Sequence, residues 1–169
     1  GFPQLHYMID VSQAALGYWE LILEGHELQK PFLALADWLV DNAVKGSPGL
    51  VWHGPYAMPK YDLAIGWPSA MGQGEAISVL LRAHRLTGSE QYLETAVAAF
   101  EPMTVDVALG GVQRNMDGHI VLEEYPTRRP AAVLNGWIFA LLGIHELALV
   151  TGDEAVRNLF DRSEAGLVS

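Results

Sequence analysis

Apolar residues recur at helical spacing through most of this chain. Between residues 4 and 23, Leu5, Met8, Ile9, Ala15, Leu16, Trp19 and Leu23 follow that period, and Gly25 offers a C-terminal stop. Residues 27–43 continue the pattern through Phe32, Leu33, Leu35, Ala36, Leu39 and Val40, closed by Gly46-Ser47-Pro48-Gly49. The period is lost over residues 50–67, where Pro55 and Pro59 are interspersed with Trp52, Tyr56, Tyr61 and Trp67; this stretch reads as a long ordered loop. A third helix is predicted over residues 69–86, with Pro68 suited to its first turn. Its early turns hold Ala70, Gly72, Gly74 and Ala76, and its later ones Ile77, Val79, Leu80 and Leu81. Glycines this dense weaken a helix, so they predict that something approaches its backbone closely. Ser89 can cap a fourth helix over residues 90–102, built on Tyr92, Leu93, Ala96, Val97 and Phe100.

The pattern then shortens. Over residues 107–124, Gly110-Gly111-Val112 and Ile120-Val121-Leu122 flank Asn115-Met116-Asp117-Gly118, and Asp-Gly is a strong signal for a two-residue hairpin turn. Helical spacing returns over residues 131–150, and Asp153 can cap a sixth helix over residues 154–164. Gly25, Gly88 and Gly152 each separate a longer apolar helix from a shorter amphipathic one, at spacings of 63 and 64 residues. The unit is a helical hairpin plus a long connection. The expected fold is therefore mainly all-α: one domain over residues 1–169, an incomplete α/α toroid of three helical hairpins with a small β-hairpin insertion. Stacked in parallel, the hairpins bring the starts of the first, third and fifth helices to one rim. His6 and Tyr7, residues 67–73 and residues 124–135 then meet there, where two long connections open.

Composition narrows the function. Half of the 169 residues are apolar and 18% are charged, which excludes a disordered chain. The formal charge is −10, with no basic stripe to track a phosphate backbone, so nucleic acid is not an expected partner. An acidic ligand would have to be met by local cations, Lys60, Arg114, Arg128 and Arg129. The absence of cysteine removes disulfides, thiolate metal sites and a cysteine nucleophile, and leaves the compartment open. Residues 131–150 approach bilayer length but contain Asn135, His145 and Glu146, so a buried core helix is expected rather than a membrane span.

The candidate chemistry gathers at the predicted rim. Val121-Leu122-Glu123-Glu124-Tyr125-Pro126-Thr127 places two carboxylates, a phenol and a hydroxyl before a helix. Strand alternation puts Glu123 and Tyr125 on one face and Glu124 on the other, unless the strand ends there, as Pro126 allows. The alternative is a strand end with a solvated acidic pair. Flat aromatic rings suit the apolar faces of sugars, so Tyr56, Tyr61, Trp52 and Trp67 are assigned to a ligand, while Trp19, Trp38 and Trp137 are assigned to the core. His53 is a candidate base, or a surface histidine. Gln73 and Asn135, early in otherwise apolar helices, are amides in need of partners, from the backbone or from a bound hydroxyl. Glu75 reads as a solvated or first-turn carboxylate. His84 and His145 lack a metal-ligand partner at helical spacing, so neither metal nor cofactor is predicted.

Three motifs add a resemblance. Trp67-Pro68-Ser69-Ala70-Met71-Gly72-Gln73-Gly74-Glu75-Ala76-Ile77-Ser78, Glu123-Glu124-Tyr125-Pro126-Thr127 and Val133-Leu134-Asn135-Gly136 occur in that order, and the stretch from Gly66 to Gly143 resembles the C-terminal domain of D-glucuronyl C5-epimerases. The resemblance implies a helical α/α toroid that inverts carbon 5 of uronic acid residues in heparosan-like polysaccharides, including heparan sulfate precursors. It implies that Glu124 transfers a proton and that Tyr125 lies at the active site. It also implies further catalytic tyrosines and a carboxylate-binding arginine beyond Ser169, so a truncated or diverged member is expected, with Tyr56, Tyr61 or His53 as possible substitutes.

The expectations are then these. The chain resembles a carbohydrate epimerase with Glu124 and Tyr125 as catalytic residues. Asn135, Gln73, Trp67, Tyr61, Tyr56, His53 and Arg128 bind a uronic-acid-containing saccharide. The alternatives are a polysaccharide lyase, which shares the first proton abstraction, and a non-catalytic sugar-binding or oligomerisation module. An open arc of hairpins exposes apolar edges, so self-association into a homo-oligomer is expected.

Overall fold

A computed structural model describes residues 7–46 and 48–168 of the chain. The predicted start of the first helix and His6 lie outside the described residues. The helices are α1 (Met8–Leu23), α2 (Gln29–Asn42), α3 (Ala70–Thr87), α4 (Glu90–Phe100), α5 (Leu134–Thr151) and α6 (Glu154–Glu164). They form three antiparallel hairpins, α1/α2, α3/α4 and α5/α6, so the fold is mainly helical with two small antiparallel sheets. The three repeat glycines share one task. Gly25, Gly88 and Gly152 all adopt left-handed φ values, of 95°, 72° and 67°, at the ends of α1, α3 and α5, where a side chain would be strained.

α3 lies at the centre and packs on α1, α4 and α5. Every residue from Ala70 to Leu81 is buried, as expected for a helix that is apolar or small on all sides. The close approach predicted from its glycines comes from α5. A Cβ on Gly74 would stand 2.5 Å from the Ala140 Cα, and one on Gly143 would stand 2.2 Å from the Gly74 carbonyl oxygen. Backbone meets backbone there. Further along, Arg82 makes a two-pronged ion pair with Glu146, 64 residues on, the same spacing as the repeat, so α3 and α5 stack in register. Ser69 is the N-cap of α3, its hydroxyl accepting from the Gly72 N–H, which puts Pro68 before the helix rather than in its first turn.

Two differences concern the strands. A hairpin of β1 (Val44–Gly46) and β2 (Gly49–Val51) occupies the segment read as a plain helix stop; three-residue strands are too short to show a period. The predicted second hairpin is present as β3 (Gln113–Met116) and β4 (His119–Leu122), with Met116 opposite His119. Asp117 and Gly118 form its turn, both at positive φ (51° and 92°), as a two-residue turn of matched twist requires. Ile120, Val121 and Leu122 are all buried, because β4 packs on α5 and α6 as well as pairing with β3, so its burial does not alternate.

α5 differs from the expected buried helix. It is the one described helix long and apolar enough to span a bilayer, with 44% of its length buried. One side packs on α3 and α6, while Leu134, Ile138, Leu142, Leu149 and Val150 are exposed. The 50–67 excursion is closed by backbone bonds from Gly54 N–H to the Trp67 carbonyl and from Gly66 N–H to the Gly54 carbonyl, and it contains a 3₁₀ turn at Pro59–Tyr61.

Candidate active site

The segment after β4 crosses the start of α3. The strand ends at Leu122; the Glu123 N–H still bonds the Val112 carbonyl, and the Glu123 carbonyl accepts the first N–H of α3, at Ala70. With pairing over, alternation no longer binds the next residues, and Glu124 and Tyr125 turn the same way, close enough for the phenol to hydrogen-bond the carboxylate. Glu124 is 6% exposed, and its Oε2 has no hydrogen-bond partner among the described residues. It packs against Gly136, where a Cβ would fall 2.3 Å from Oε2, so only glycine leaves room for the carboxylate at the start of α5.

Its neighbour has a different task. Glu123 is fully buried and accepts from Arg114 Nε at 2.8 Å and from the N–H groups of Ala131 and Ala132. Arg114 also donates to the Thr127 carbonyl. Neither residue of the pair is therefore free: the solvated acidic pair is excluded, and Arg114 is not an available cation. Ala132 sits at φ 43°, a left-handed value that costs a non-glycine residue energy, and the Glu123 carboxylate holds that N–H in place.

Around Glu124 stands a cluster of rings. Trp67 contacts Tyr7, Tyr56 and Tyr125 at centroid distances of 6.0, 6.4 and 5.4 Å, and Tyr7 meets Tyr56 edge-on at 5.3 Å. Tyr61 stacks flat on Tyr125 at 4.0 Å. Burial is the main cause that pushes the phenols of Tyr7, Tyr125 and Tyr56 above the ordinary tyrosine range. The hydrogen bond to Glu124 and its charge add to this at Tyr125, and a hydrogen bond with Tyr7 opposes it at Tyr56. These phenols are held protonated, as donors.

Glu75 completes the cluster and departs most from expectation. It lies in the second turn of α3 and is 2% exposed, so it is neither solvated nor at the helix start. Gln13 donates to its Oε1, while Oε2 is buried without a partner. Burial above all, then the nearby Glu124 and Asp10 charges, push its carboxyl up to about 7 against the pull of Gln13. A signal was present in the sequence: a carboxylate within a helix that is small or apolar on every face has no solvent side to reach.

The remaining candidates separate. Gln73 is fully buried and its amide is spent on the backbone: it donates to the Leu50 and Ala99 carbonyls and accepts from the Trp52 N–H. Asn135 is exposed in the first turn of α5, where a buried amide was expected, because the helix begins at Leu134 rather than at 131. Trp52 is inside, its indole N–H on the Leu39 carbonyl, and Trp137 is inside on Ser163. His53 is exposed, bonded to the Gly66 carbonyl, and lines a separate cleft of about 190 Å³ with Met8, Trp38 and Trp52. Arg128 lines a cleft of about 390 Å³ with Lys60, Tyr61 and Arg129. Among the described residues no three His, Asp or Glu side chains gather as a metal site. A further cleft, of about 260 Å³, lies at the far ends of α3 and α5 around the Arg82–Glu146 pair, whose charges are already spent on each other.

Comparison with known proteins identifies the family. A family model described as the D-glucuronyl C5-epimerase C-terminus matches residues 48–168. The chain is 40% identical over 118 residues to the D-glucuronyl C5-epimerase of Caenorhabditis elegans, an overlap of 69% of this chain and 19% of that protein. It is 30% identical over 142 residues to an uncharacterized protein of Methanocaldococcus jannaschii, covering 77% of this chain and 46% of that one. The chain thus spans less than half the length of either relative. On these matches, the chain belongs to the family of the D-glucuronyl C5-epimerase C-terminus.

Proposed function

We propose that this chain carries the proton-transfer site of an epimerase acting at carbon 5 of uronic acid residues in a polysaccharide. The observation that carries the reading is the Glu124 carboxylate, buried beside Tyr125 with an unpartnered oxygen and walled by aromatic rings. A proton alpha to a carboxylate is weakly acidic, so its removal needs a dry, positioned base and support for the charge that develops. Glu124 takes the proton from carbon 5, the C–H electron pair moves onto the sugar carboxylate, and a phenol of the Tyr7–Tyr56 pair returns a proton to the opposite face. Glu124 then passes its proton through Tyr125 to the phenolate left by that donation, which restores both groups. Glu75, neutral below about pH 7, can hydrogen-bond the substrate carboxylate without repelling it, as a second carboxylate anion would. Tyr61, half-buried at the edge of the cluster, lines the approach to the sugar; Trp67, 5% exposed with its indole N–H on the Tyr56 carbonyl, backs the ring wall; Asn135 offers an exposed amide at the rim, and Gln73 supports the floor beneath.

In the same reading, the three hairpins are one domain that forms an arc of an α/α toroid. The exposed apolar side of α5 favours self-association, which light scattering measures directly; a clean monomer at micromolar concentration would count against it. The test of the chemistry is incubation with a uronic acid polymer in D₂O. Deuterium at carbon 5 is expected, and Glu124→Gln should abolish it. No incorporation by the parent chain overturns the reading, and an unsaturated, ultraviolet-absorbing product would identify a lyase instead.

A further inference from the structure

The cleft beside Tyr61 has a charge pattern that the proton-transfer chemistry leaves unused. Lys60, Arg128 and Arg129 line it with Tyr61, Asp62, Thr127, Pro130 and Ala131, and its volume of about 390 Å³ lies in the roughly 300–1,000 Å³ range of small-molecule sites. The chain has ten lysines and arginines against twenty carboxylates, yet three of the ten converge here with Asp62 as the one carboxylate of the lining. Among the described residues none of the three makes an ion pair, whereas Arg82 and Arg114 do. Lys60 instead lies over the Tyr61 ring, 5.1 Å from its centre.

The cleft is also fixed in place and joined to the site. Its 127–131 wall is held by the Arg114 bond to the Thr127 carbonyl, by the Thr127 hydroxyl on the Arg129 carbonyl, and by Glu123 on the Ala131 N–H. Its other wall, Tyr61, stacks on Tyr125, the neighbour of Glu124. The Tyr61–Tyr125 stack therefore stands between the cleft and Glu124, which is not part of the lining, so a group held in the cleft is not the one reacting at Glu124.

We propose that this cleft is an anion subsite for a carboxylate carried by a sugar residue next to the one at Glu124. Guanidinium groups suit planar oxyanions, and a low-dielectric aromatic wall strengthens the attraction. This inference rests on the reading that the sugar undergoing reaction sits at Glu124. It makes a charged oligosaccharide, rather than a single uronic acid, the preferred ligand.

The test is titration calorimetry of the full chain at two salt concentrations, beside the deuterium assay. The probes are a uronic-acid-containing hexasaccharide, the same hexasaccharide with its carboxyls reduced to alcohols, and inorganic sulfate. Arg128→Ala/Arg129→Ala should bind the acidic hexasaccharide about tenfold more weakly, with less dependence on salt and a raised KM for exchange. Lys60→Ala, a single exposed change, should shift binding in the same direction. Lys30→Ala/Arg157→Ala, which removes the same charge from exposed sites on α2 and α6, should bind as the parent does. The carboxyl-reduced probe should not distinguish the double arginine variant from the parent. Equal affinity of the arginine variant and parent for the acidic hexasaccharide overturns the proposal, even if exchange proceeds. So does sulfate that competes as well as the hexasaccharide, which would assign the cleft to a free oxyanion. Loss of binding in the arginine variant with no exchange by the parent leaves the subsite standing and removes the epimerase reading.

Discussion

Two adjacent glutamates are predicted to behave in opposite ways, and the sharper case is Glu123. Replacing it with alanine leaves the Arg114 guanidinium with no carboxylate and strands the N–H groups of Ala131 and Ala132. Removing one partner of a buried ion pair costs about 3–5 kcal/mol. The Arg114 side chain retains 15% exposure and keeps its bond to the Thr127 carbonyl, so the lower end, about 3 kcal/mol, is appropriate. For a domain of this size each kcal/mol moves Tm by about 2–4 °C, so Glu123→Ala should melt roughly 6–12 °C below the parent. The strained Ala132 loses its anchor at the same time, so the 127–132 turn should relax and ligand binding at the Lys60/Arg128/Arg129 cleft should weaken. The assay is thermal and urea unfolding by circular dichroism of Glu123→Ala, Arg114→Met and the double variant. The double variant should be more stable than the sum of the two losses implies, because neither charge is then left alone, with a coupling energy of about 2 kcal/mol. A Tm within 2 °C of the parent for Glu123→Ala, or strict additivity in the cycle, would refute the reasoning. Glu124→Gln is the contrast: the buried oxygen it alters has no partner to lose, so Tm should hold or rise while deuterium exchange disappears.

Three further predictions follow from packing and titration. The folded Glu75 carboxyl sits near 7 against an ordinary value of 4.5, so between those pH values the folded chain holds a proton that the unfolded chain has released. Stability is therefore lost as pH rises through that window; Glu75→Gln should raise Tm at pH 8 by a few degrees and leave it nearly unchanged at pH 4, and equal effects at both would contradict the assignment. Gly17, on the exposed side of α1 with open space around it, should gain about 0.5–1 kcal/mol as alanine, whereas Gly143→Ala should lose about 1–3 kcal/mol because its methyl would meet the α3 backbone. Urea unfolding reads both, and matching signs would sink the contact. Leu142→Glu, on the exposed side of α5, should convert any self-associated form to monomer by light scattering without lowering stability by more than about 1 kcal/mol, as for an exposed position.

By itself the sequence determined the helices, the recurring glycine stops of the three-hairpin repeat and the Asp117-Gly118 turn, and its motifs drew attention to the Glu123–Tyr125 segment. The helices, their glycine stops and the turn rest on interactions between residues a few positions apart: helical spacing, left-handed glycine caps and a two-residue turn. The resemblance pointed to Glu124 over Glu123, and only the tertiary structure showed why Glu123 is structural while one Glu124 oxygen is left without a partner. That depends on Arg114 and the 131–132 backbone for Glu123, and on an early end to β4 for Glu124. Gln73 looked like a ligand amide because its partners, at Leu50, Trp52 and Ala99, lie on other elements. Asn135 looked buried because a helix start was misplaced by three residues, about one turn. Glu75 became a titrating member of the site only when α1 and the 123–125 segment closed over α3. Partners that lie on other elements, from eight residues away for Glu123 to more than twenty for Gln73, leave no periodic trace, so burial and charge at this rim were fixed by packing rather than by pattern.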